Sequence, residues 1–403
     1  MPLSSRLSGL LTVLLSIGVA AVSLYGAAQL DPAAGYDGAA FLEYARVVAD
    51  EGRLPTEAET YEYAMPPGYP WLAGALHAVT GSWKAGQALS ALVAAGLVLV
   101  AWLLARELWP GRPVRWAAAA ALTAGLPIVV RLGTMFHPEA LFALLAAVAV
   151  LLLVRAERRG WSWQLGAATG VALGAGALVR PTAAAVAVAL AIGLALRGRR
   201  EALGFGAAAL AALALVAGPW WGYQTARFGN PLESNLDRYI LEGGQPREFY
   251  VSAPLEDLVV HPYRPAFAGE LWPQFHADLW SDWFGGQHGY WQEPPGDATR
   301  VFLSVQSVLG LAFSAAALAG LWFLRRWPAL LAVVAVTWVG FVVQLVRFPQ
   351  EGGDPIKSSY MLYLAPVFAV AAVEAGRRLP RPLVLAWGAL YALSYAGFVA
   401  TSW

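Results

Sequence analysis

The sequence predicts an all-α polytopic membrane protein, and three observations carry this prediction. Of its 403 residues, 58% are hydrophobic and only 13% are charged, whereas a soluble domain carries about 25% charged residues. The mean hydropathy is +0.54. Apolar segments recur along the chain at the length of about 20 residues that a helix needs to cross a bilayer. Together these features exclude an ordinary soluble protein.

Charge and cysteine content narrow the function further. The formal net charge is only +1, which argues against a nucleic-acid partner, because such a partner requires a strongly basic surface. The chain contains no cysteine, so disulfides and thiolate metal sites are excluded.

Eleven segments are predicted to cross the bilayer as helices. The first lacks an A-x-A cleavage site and is long for the apolar part of a signal peptide, so we expect it to be retained as a span. Tyr69–Val79 is too short to cross and predicts a helix lying on the membrane surface. The predicted spans are Leu10–Leu30, Ala85–Leu104, Val114–Val130, Pro138–Val154, Trp161–Val179, Pro181–Leu196, Ala202–Thr225, Val301–Leu324, Pro328–Val346, Ser359–Val373 and Pro382–Ser402.

The distribution of arginines predicts the orientation of these spans. With the N-terminus cytoplasmic and Tyr69–Val79 not crossing, fifteen of the 27 basic residues lie in cytoplasmic segments. Cytoplasmic loops of membrane proteins carry an excess of basic residues, so we expect a protein of the plasma (inner) membrane with its C-terminus outside. The fifteen are Arg6, Arg106, Arg112, Arg115, Arg155, Arg158, Arg159, Arg197, Arg199, Arg200, Arg325, Arg326, Arg377, Arg378 and Arg381.

Two large loops lie on the predicted outer side, and no linker separates domains. One covers residues 31–83 and the other residues 226–300, which are rich in Trp, Tyr, Pro and Gly. We therefore predict a single membrane domain over residues 1–403. It comprises a module over 1–225, an external loop or cap over 226–300, and C-terminal helices over 301–403.

Ionisable side chains near membrane segments are candidate functional residues, and here they gather at the outer helix ends. Arg131, His137 and Glu139 lie where the third and fourth spans meet, Arg180 joins the fifth and sixth, and Lys357 precedes the tenth. An ion-coupled transporter more often places such groups near the midplane. The pattern therefore favours a site at the outer membrane surface.

Asp37 is the candidate centre of that site. It precedes an amphipathic segment in which Phe41 and Tyr44 share one face and Glu43 and Arg46 the other. Capping of this helix is the simplest role for an aspartate at its start. The capping and catalytic roles are compatible, because a capping carboxylate keeps a second oxygen.

Metal binding is an alternative that the sequence does not favour. His137 and Glu139, or His276 and Asp278 in the second loop, can be drawn as ligand pairs, but neither spacing defines a coordination geometry. In the second loop, an aromatic belt at the membrane interface and a surface for sugar stacking both remain open. Its candidate residues are His261, His276, His288, Asp278, Asp282, Trp272, Trp280, Trp283, Tyr290 and Trp291.

Several segments in order resemble GT-C-fold glycosyltransferases, among them protein O-mannosyltransferases and aminoarabinose transferases. The resemblance covers roughly residues 1–200, with a further segment near the C-terminus, and it depends on the order and spacing of the motifs. They are YDGAAFLEYARVVADEGRLP (36–55), PPGYPWLAGALHAVTG (66–81), LLARELWPGRPVRWAAAAALTAGLPIVVRLG (103–133), HPEALFALLAAVAVLLLVRAERRG (137–160), GVALGAGALVRPTA (170–183) and KSSYMLYLAP (357–366).

The resemblance implies a GT-C-like bundle that transfers a sugar from a polyprenyl-phosphate donor to an acceptor hydroxyl, with inversion, at the extracytoplasmic face. Asp37 is then the general base. Donor phosphate binding falls to Arg131, Arg180, Lys357 and Tyr360, and substrate binding to Glu139, His137 and Tyr363. The acceptor is a glycan, a lipid or a protein.

One departure from the family pattern bears on metal use. Many relatives carry a second acid directly after the first, and Gly38 occupies that position here. The loop then lacks paired carboxylates, so we expect a metal-independent reaction without a cofactor.

Three rival functions remain open. A polyprenyl-linked glycan ligase or polymerase uses similar substrates and normally carries its polar site in one large late loop, which this chain also has. A lipid-linked sugar transporter or flippase fits less well, because the midplane charges expected of it are missing. A non-catalytic membrane scaffold with a sugar-binding cap would not require the charged residues to converge.

Overall fold

The computed structural model describes residues 4–35, 37–197, 200–234, 244–260, 270–280, 296–347 and 358–402. Lys357, one of the predicted phosphate ligands, lies outside these residues. So do candidate residues of the second loop, namely His261, Asp282, Trp283, His288, Tyr290 and Trp291.

The described residues fold into helices and contain no strand, so the predicted all-α membrane fold is confirmed. The helices are α1 (Ser5–Gln29), α2 (Gly38–Glu51), α3 (Gly68–Thr80), α4 (Lys84–Leu108), α5 (Pro113–Ala124), α6 (Pro127–Thr134), α7 (Glu139–Arg159), α8 (Trp163–Ala177), α9 (Ala183–Arg197), α10 (Arg200–Phe228), α11 (Arg247–Val251), α12 (Leu255–Val259), α13 (Leu271–Trp280), α14 (Asp297–Phe323), α15 (Pro328–Arg347), α16 (Ala365–Gly376) and α17 (Arg381–Ser402), with a 3-10 helix at Ser358–Leu364 before α16.

Each of the eleven predicted spans coincides with helical structure. By length and hydropathy, eight described helices can cross a membrane, and the pair α5 and α6, bent by 54°, brings the number to nine. The bend falls at Pro127, which opens α6 and has no N–H with which to continue a helix from α5. The total of eleven spans stays a prediction.

The first loop contains the two helices that the sequence predicts. Phe41 and Tyr44 on α2 are buried, while Glu43 and Arg46 on the opposite face are about half exposed. The second helix, α3, has 13 residues and is too short to cross a bilayer. It packs on α2 and α4.

Lys84 joins the end of the first loop to the end of the first span through hydrogen bonds. Its ammonium group donates hydrogen bonds to the carbonyl oxygens of Ala27, Ala28 and Leu30, at 2.9, 2.8 and 2.8 Å. These carbonyls close α1 and have no partner within the helix. The positive charge also complements the negative end of the helix dipole, so the start of α4 is fixed against the end of α1.

Two buried glutamates form ion pairs with arginines at the helix ends that lie opposite the first loop. Glu107, at the end of α4, binds Arg155 and Arg159, at the end of α7, at 3.0 and 2.7 Å. Near the end of α16, Glu374 binds Arg377 at 2.8 Å and Arg115 of α5 at 3.4 Å. Glutamates thus organise part of the arginine-rich side that the sequence predicts to be cytoplasmic.

Helices α8 and α10 pack closely against each other. Gly166, Gly170 and Gly174, one turn apart on α8, face α10 so tightly that a Cβ at any of them would overlap it. Small residues at four-residue spacing let membrane helices approach closely, where van der Waals contact drives their association. This contact fixes the end of α8, after which the chain enters the candidate site.

We predict that Gly170→Ala destabilises the protein, because the added methyl group would overlap the carbonyl oxygen of Ala209 on α10. Overpacking of this kind costs about 1–3 kcal/mol. Thermal unfolding of the purified protein in detergent measures the effect. The matched control is Gly222→Ala on α10, where a Cβ meets nothing within 4 Å. Equal unfolding temperatures for the two variants would contradict the packing argument.

Candidate active site

Asp37 stands at the start of α2, yet its side chain makes no capping hydrogen bond to that helix. Oδ1 instead accepts a hydrogen bond from the Tyr61 hydroxyl at 3.0 Å, and Oδ2 lies 3.4 Å from Nε2 of His137. The side chain is 13% exposed. The capping interpretation is therefore wrong, and the carboxylate is oriented by residues distant in sequence.

His137 lies between two carboxylates in the short connection from α6 to α7. Its Nε2 faces Asp37, and its Nδ1 lies 3.1 Å from Oε2 of Glu139. The ring packs edge-on against Phe41, with centroids 5.2 Å apart, and is buried. Burial lowers the pKa of His137 below its ordinary value, although the neighbouring Asp37 acts in the opposite direction. Burial therefore favours the neutral form of the imidazole.

Glu139 forms a deeply buried ion pair with Arg180. Its carboxylate is 1% exposed and accepts a hydrogen bond from Nε of Arg180 at 2.9 Å, with a second contact from Nη2 of Arg180. Such bidentate pairs are the strong, geometrically specific form of the carboxylate–guanidinium contact. The Arg180 guanidinium also lies over the rings of Phe41 and Tyr360, at 5.8 and 5.9 Å.

Four side chains thus form a continuous row in the order Asp37, His137, Glu139 and Arg180. The sequence predicts that all four act on the donor or the acceptor, and within the row Glu139 pairs with Arg180. Asp37 is the member of the row whose carboxylate is most accessible to solvent. The row therefore contains one carboxylate that solvent can reach, that of Asp37, next to a buried ion pair between Glu139 and Arg180.

Arg131 belongs to a neighbouring cluster on α6. Its Nη2 donates to Oδ1 of Asp278 at 2.6 Å, and both side chains are buried. The other oxygen of Asp278 accepts the backbone N–H of Ser359 at 3.3 Å. Asp278 therefore joins α13 of the second loop to α6 and to the 3-10 helix that carries Tyr360.

Tyr360 and Tyr363 lie in different surroundings. Tyr360 is half-buried under the Arg180 guanidinium, which agrees with a place beside the site. The Tyr363 hydroxyl is 2.6 Å from Oγ1 of Thr337, and its ring packs on Phe142 in the core. This makes Tyr363 a packing residue, and its predicted role in substrate binding gains no contact in support.

The rest of the first loop holds Tyr61 in place. Thr60 donates to the carbonyl of Ala40 on α2 at 3.1 Å. Gln224 of α10 donates to the carbonyl of Ala64 at 2.7 Å, and the N–H of Gly68 donates to Leu178 at 2.6 Å. These bonds tie the loop to α2, to α10 and to the segment leading into Arg180.

In the second loop, His276 and Asp278 are committed to other partners. Nε2 of His276 donates to the carbonyl of Ser307 at 2.9 Å, and burial lowers the pKa of His276 to about 4. Trp280 is buried against Phe313, whereas Trp272 is exposed. Among the residues that the structure describes, no three His, Cys, Asp or Glu side chains form a set suited to a metal ion.

Comparison with known proteins shows what this architecture resembles. The family model of dolichyl-phosphate-mannose-protein mannosyltransferases matches residues 64–223. The fold is similar to that of ArnT from Cupriavidus metallidurans bound to undecaprenyl phosphate, at 17% identity and TM-score 0.56, over 93% of this chain and 62% of that one. It is also similar to the oligosaccharyltransferase AglB from Archaeoglobus fulgidus in complex with an inhibitory peptide and a dolichol-phosphate, at 14% identity and TM-score 0.57, over 97% and 56% of the two chains.

These likenesses confirm the predicted resemblance to GT-C-fold glycosyltransferases. At this level of identity the solved structures establish the fold and not the substrates. The chain spans about 60% of the length of ArnT and somewhat less of AglB. No curated protein sequence matches the chain.

We predict that Arg180→Gln destabilises the protein by about 3–5 kcal/mol, because it leaves the buried carboxylate of Glu139 without its counter-charge. The double variant Arg180→Gln/Glu139→Gln replaces the pair by two neutral amides and should recover most of the loss. Thermal or denaturant unfolding in detergent measures both.

The control is Arg46→Gln, which breaks a pair with Glu43 whose side chains are 49% and 43% exposed. Exposed pairs contribute less than about 1 kcal/mol. A single Arg180→Gln variant as stable as this control would contradict the assigned role of the buried pair.

Proposed function

We propose that this chain is an inverting glycosyltransferase that moves a sugar from a polyprenyl-phosphate donor to an acceptor hydroxyl, with Asp37 as general base. One observation carries the proposal. The Asp37 carboxylate is partly exposed and is held by Tyr61 and His137 rather than by the helix that it precedes. An aspartate held in this way is suited to chemistry rather than to capping.

The reaction follows from a base at this position. Asp37 takes the proton of the acceptor hydroxyl as the acceptor oxygen attacks the anomeric carbon from the side opposite the phosphate. The bond from that carbon to the phosphate oxygen breaks, and the polyprenyl phosphate leaves with the electron pair. A general base must lie within hydrogen-bond reach of the proton that it removes, and the exposed edge of Asp37 can satisfy that requirement.

The leaving phosphate gains negative charge, which nearby cations would stabilise. Arg180 uses Nε and Nη2 for Glu139, and a guanidinium has five N–H donors in all, so part of its donor set can serve a phosphate. Arg131 and Tyr360, close to the same end of the bundle, are the further candidates for the proposed phosphate site among the described residues, and Lys357 stays a prediction from the sequence. We propose Arg180 as the centre of this site, since it belongs to the row that contains Asp37.

The class of donor is proposed from the similar proteins. ArnT from Cupriavidus metallidurans has been solved with undecaprenyl phosphate and AglB from Archaeoglobus fulgidus with a dolichol-phosphate. The matching family model is that of dolichyl-phosphate-mannose-dependent enzymes. A polyprenyl phosphate is therefore the carrier that we propose for this chain. A glycan, a lipid or a protein can supply the acceptor hydroxyl.

The geometry of α7 supports an extracytoplasmic site in the inner membrane. Glu139 begins this helix of 21 residues, and Arg155 and Arg159 lie near its end. At 1.5 Å per residue the helix is about 30 Å long, which is the thickness of the hydrocarbon core. A helix of this length would separate the site from that arginine cluster across the bilayer, and an excess of arginine is typical of the cytoplasmic side.

We further propose that the reaction needs no metal ion. Gly38 follows Asp37 where a second carboxylate would be required. Nε2 of His137 lies beside the Asp37 carboxylate. The other carboxylate of the row, that of Glu139, is already paired with Arg180. Charge compensation in this site therefore comes from arginine.

We predict that Asp37→Asn lowers transfer of radiolabelled sugar from polyprenyl-phosphate donors at least about a hundredfold, which is the scale of general-base catalysis. Donor binding should persist, because the amide keeps the shape of the side chain. The native activity should survive EDTA.

The control for this variant is Asp31→Asn in the same loop. Asp31 is exposed and accepts a hydrogen bond from the N–H of Ala33 at 2.7 Å, so its loss should leave transfer unchanged. Undiminished transfer by Asp37→Asn would refute the assignment of the base. A native protein that moves lipid-linked sugars across vesicles without transferring them would instead point to a flippase.

A further inference from the structure

Arginines from three parts of the chain meet at the helix ends that lie opposite the first loop. The segments 109–116, 322–328 and 370–381 carry seven arginines and one acidic residue, Glu374, which is a surplus of six positive charges. We call these arginines the seven-arginine cluster. Its members are Arg112, Arg115, Arg325, Arg326, Arg377, Arg378 and Arg381.

Helix packing holds the three segments together. Helix α16 packs against both α5 and α14. Gly320 of α14 faces α16 so closely that a Cβ there would overlap the carbonyl oxygen of Ala371. The guanidinium of Arg378 lies 3.5 Å from the centroid of the Phe323 ring, a cation–π contact that fixes the end of α16 against the end of α14. The cluster is therefore a built feature of three elements and not a set of separate loop residues.

One carboxylate serves several members of the cluster. Glu374 has a side chain that is 6% exposed, and it lies 3.4 Å from Nη1 of Arg115 and 2.8 Å from Nη2 of Arg377. Arg112 and Arg326 act on the guanidinium of Arg115 with like charge. Because a single carboxylate cannot balance seven guanidinium groups, a further anion bound here would relieve their mutual repulsion.

Two tryptophans add neutral hydrogen-bond donors to the cluster. Trp109 is 4% exposed, its ring centroid lies 5.3 Å from the guanidinium carbon of Arg115, and its Nε1 makes no hydrogen bond to the described residues. Nε1 of Trp327, next to Arg326 in the chain, is also buried without such a bond. An indole N–H can only donate, and buried donors nearly always have an acceptor. Phosphate oxygens would supply one.

The surface around the cluster is apolar. Val114 lies between two of the arginines in the chain, Trp322 comes shortly before Arg325, and Leu379 follows Arg378; all three apolar side chains are exposed. An anion dissolved in water gains nothing from such surroundings, whereas the acyl chains of a lipid bury apolar surface on them. The combination of excess positive charge and apolar surface therefore favours a lipid over a free anion.

We propose that the seven-arginine cluster binds the phosphate headgroup of an anionic phospholipid. The phosphate oxygens accept hydrogen bonds from Arg112, Arg326 and the indole of Trp109, and the acyl chains lie against the neighbouring apolar side chains. Guanidinium groups hold phosphate through paired N–H donors, and basic pockets between membrane helices on the cytoplasmic side bind anionic headgroups. The bound lipid joins α5, α14 and α16, and it lies at the end of α16 away from Tyr360. This inference does not depend on the proposed transfer reaction.

Thermal unfolding of the whole protein, purified and delipidated in neutral detergent, tests the proposal. We expect dioleoylphosphatidylglycerol, which is anionic, to raise the unfolding temperature by at least about 3 °C, because a ligand that binds the folded state stabilises it. Dioleoylphosphatidylcholine has the same acyl chains and no net charge, and it should have little effect. Equal shifts with the two lipids would overturn the proposal. An equal shift with inorganic phosphate would overturn the assignment to a lipid.

A double variant locates the binding site. Arg112→Gln/Arg326→Gln keeps the arginines that pair with Glu374, so the fold should persist, and we expect it to lose at least about half of the shift with phosphatidylglycerol. The control Arg46→Gln/Arg247→Gln removes two exposed arginines on the side of the two large loops and should keep the full shift. An equal loss in both variants would show an effect of overall charge and would overturn the proposal.

Trp109→Phe tests the site in a second way, because it removes the indole N–H but keeps an aromatic ring beside Arg115. We expect a smaller shift with phosphatidylglycerol than in the native protein, and an unchanged shift would remove Trp109 from the site. Native mass spectrometry of the native protein from mixed micelles measures binding without unfolding. Preferential retention of phosphatidylglycerol is the expected result, and equal retention of phosphatidylcholine would overturn the proposal.

Discussion

The buried contact between Arg180 and Glu139 is the interaction on which the site depends. An ionised carboxylate at the end of a membrane helix is costly unless a counter-charge lies beside it. Arg180 supplies that charge from the segment after α8, so the pair requires α7 and the α8–α10 unit to meet at one place. His137 comes two residues before Glu139, and its position is therefore set by the same contact. Asp37 in turn meets His137 through the packing of Phe41 against the imidazole.

A second set of contacts brings distant parts of the chain to the same end of the bundle. The first loop reaches α10 through Gln224 and the chain before Arg180 through Gly68. Asp278 of the second loop reaches α6 and the 3-10 helix. These are mainly backbone or charge-assisted hydrogen bonds, which provide geometric specificity where membrane helices have little hydrophobic driving force to associate. The scaffold is thus held together at the level where the candidate site lies.

The sequence was sufficient for the fold class, for the helices α2 and α3, and for bringing Asp37, His137, Glu139 and Arg180 to one level of the bundle. Hydropathy and helical periodicity report where apolar helices begin and end, and these predictions depend on that. Three residues have roles that depend on partners far away in the chain, so no local sequence pattern indicates those roles. Tyr61 is one tyrosine of a polar loop, Asp278 is one acid of a long loop, and Lys84 is one of two lysines. Their roles follow from side-chain reach across elements, which spacing within a single element does not encode.

The capping interpretation of Asp37 failed for an instructive reason. A side chain at the start of a helix is free to cap it only when no stronger donor competes. Here the Tyr61 hydroxyl and the His137 ring lie beside the two carboxylate oxygens, so the first N–H groups of α2 lose this cap. Capping is worth about 1 kcal/mol, and that stability is given up at one position. The carboxylate oxygens of Asp37 are instead oriented by side chains of other elements, and this arrangement suits the base that we propose, because such groups stay fixed while the substrate binds and leaves.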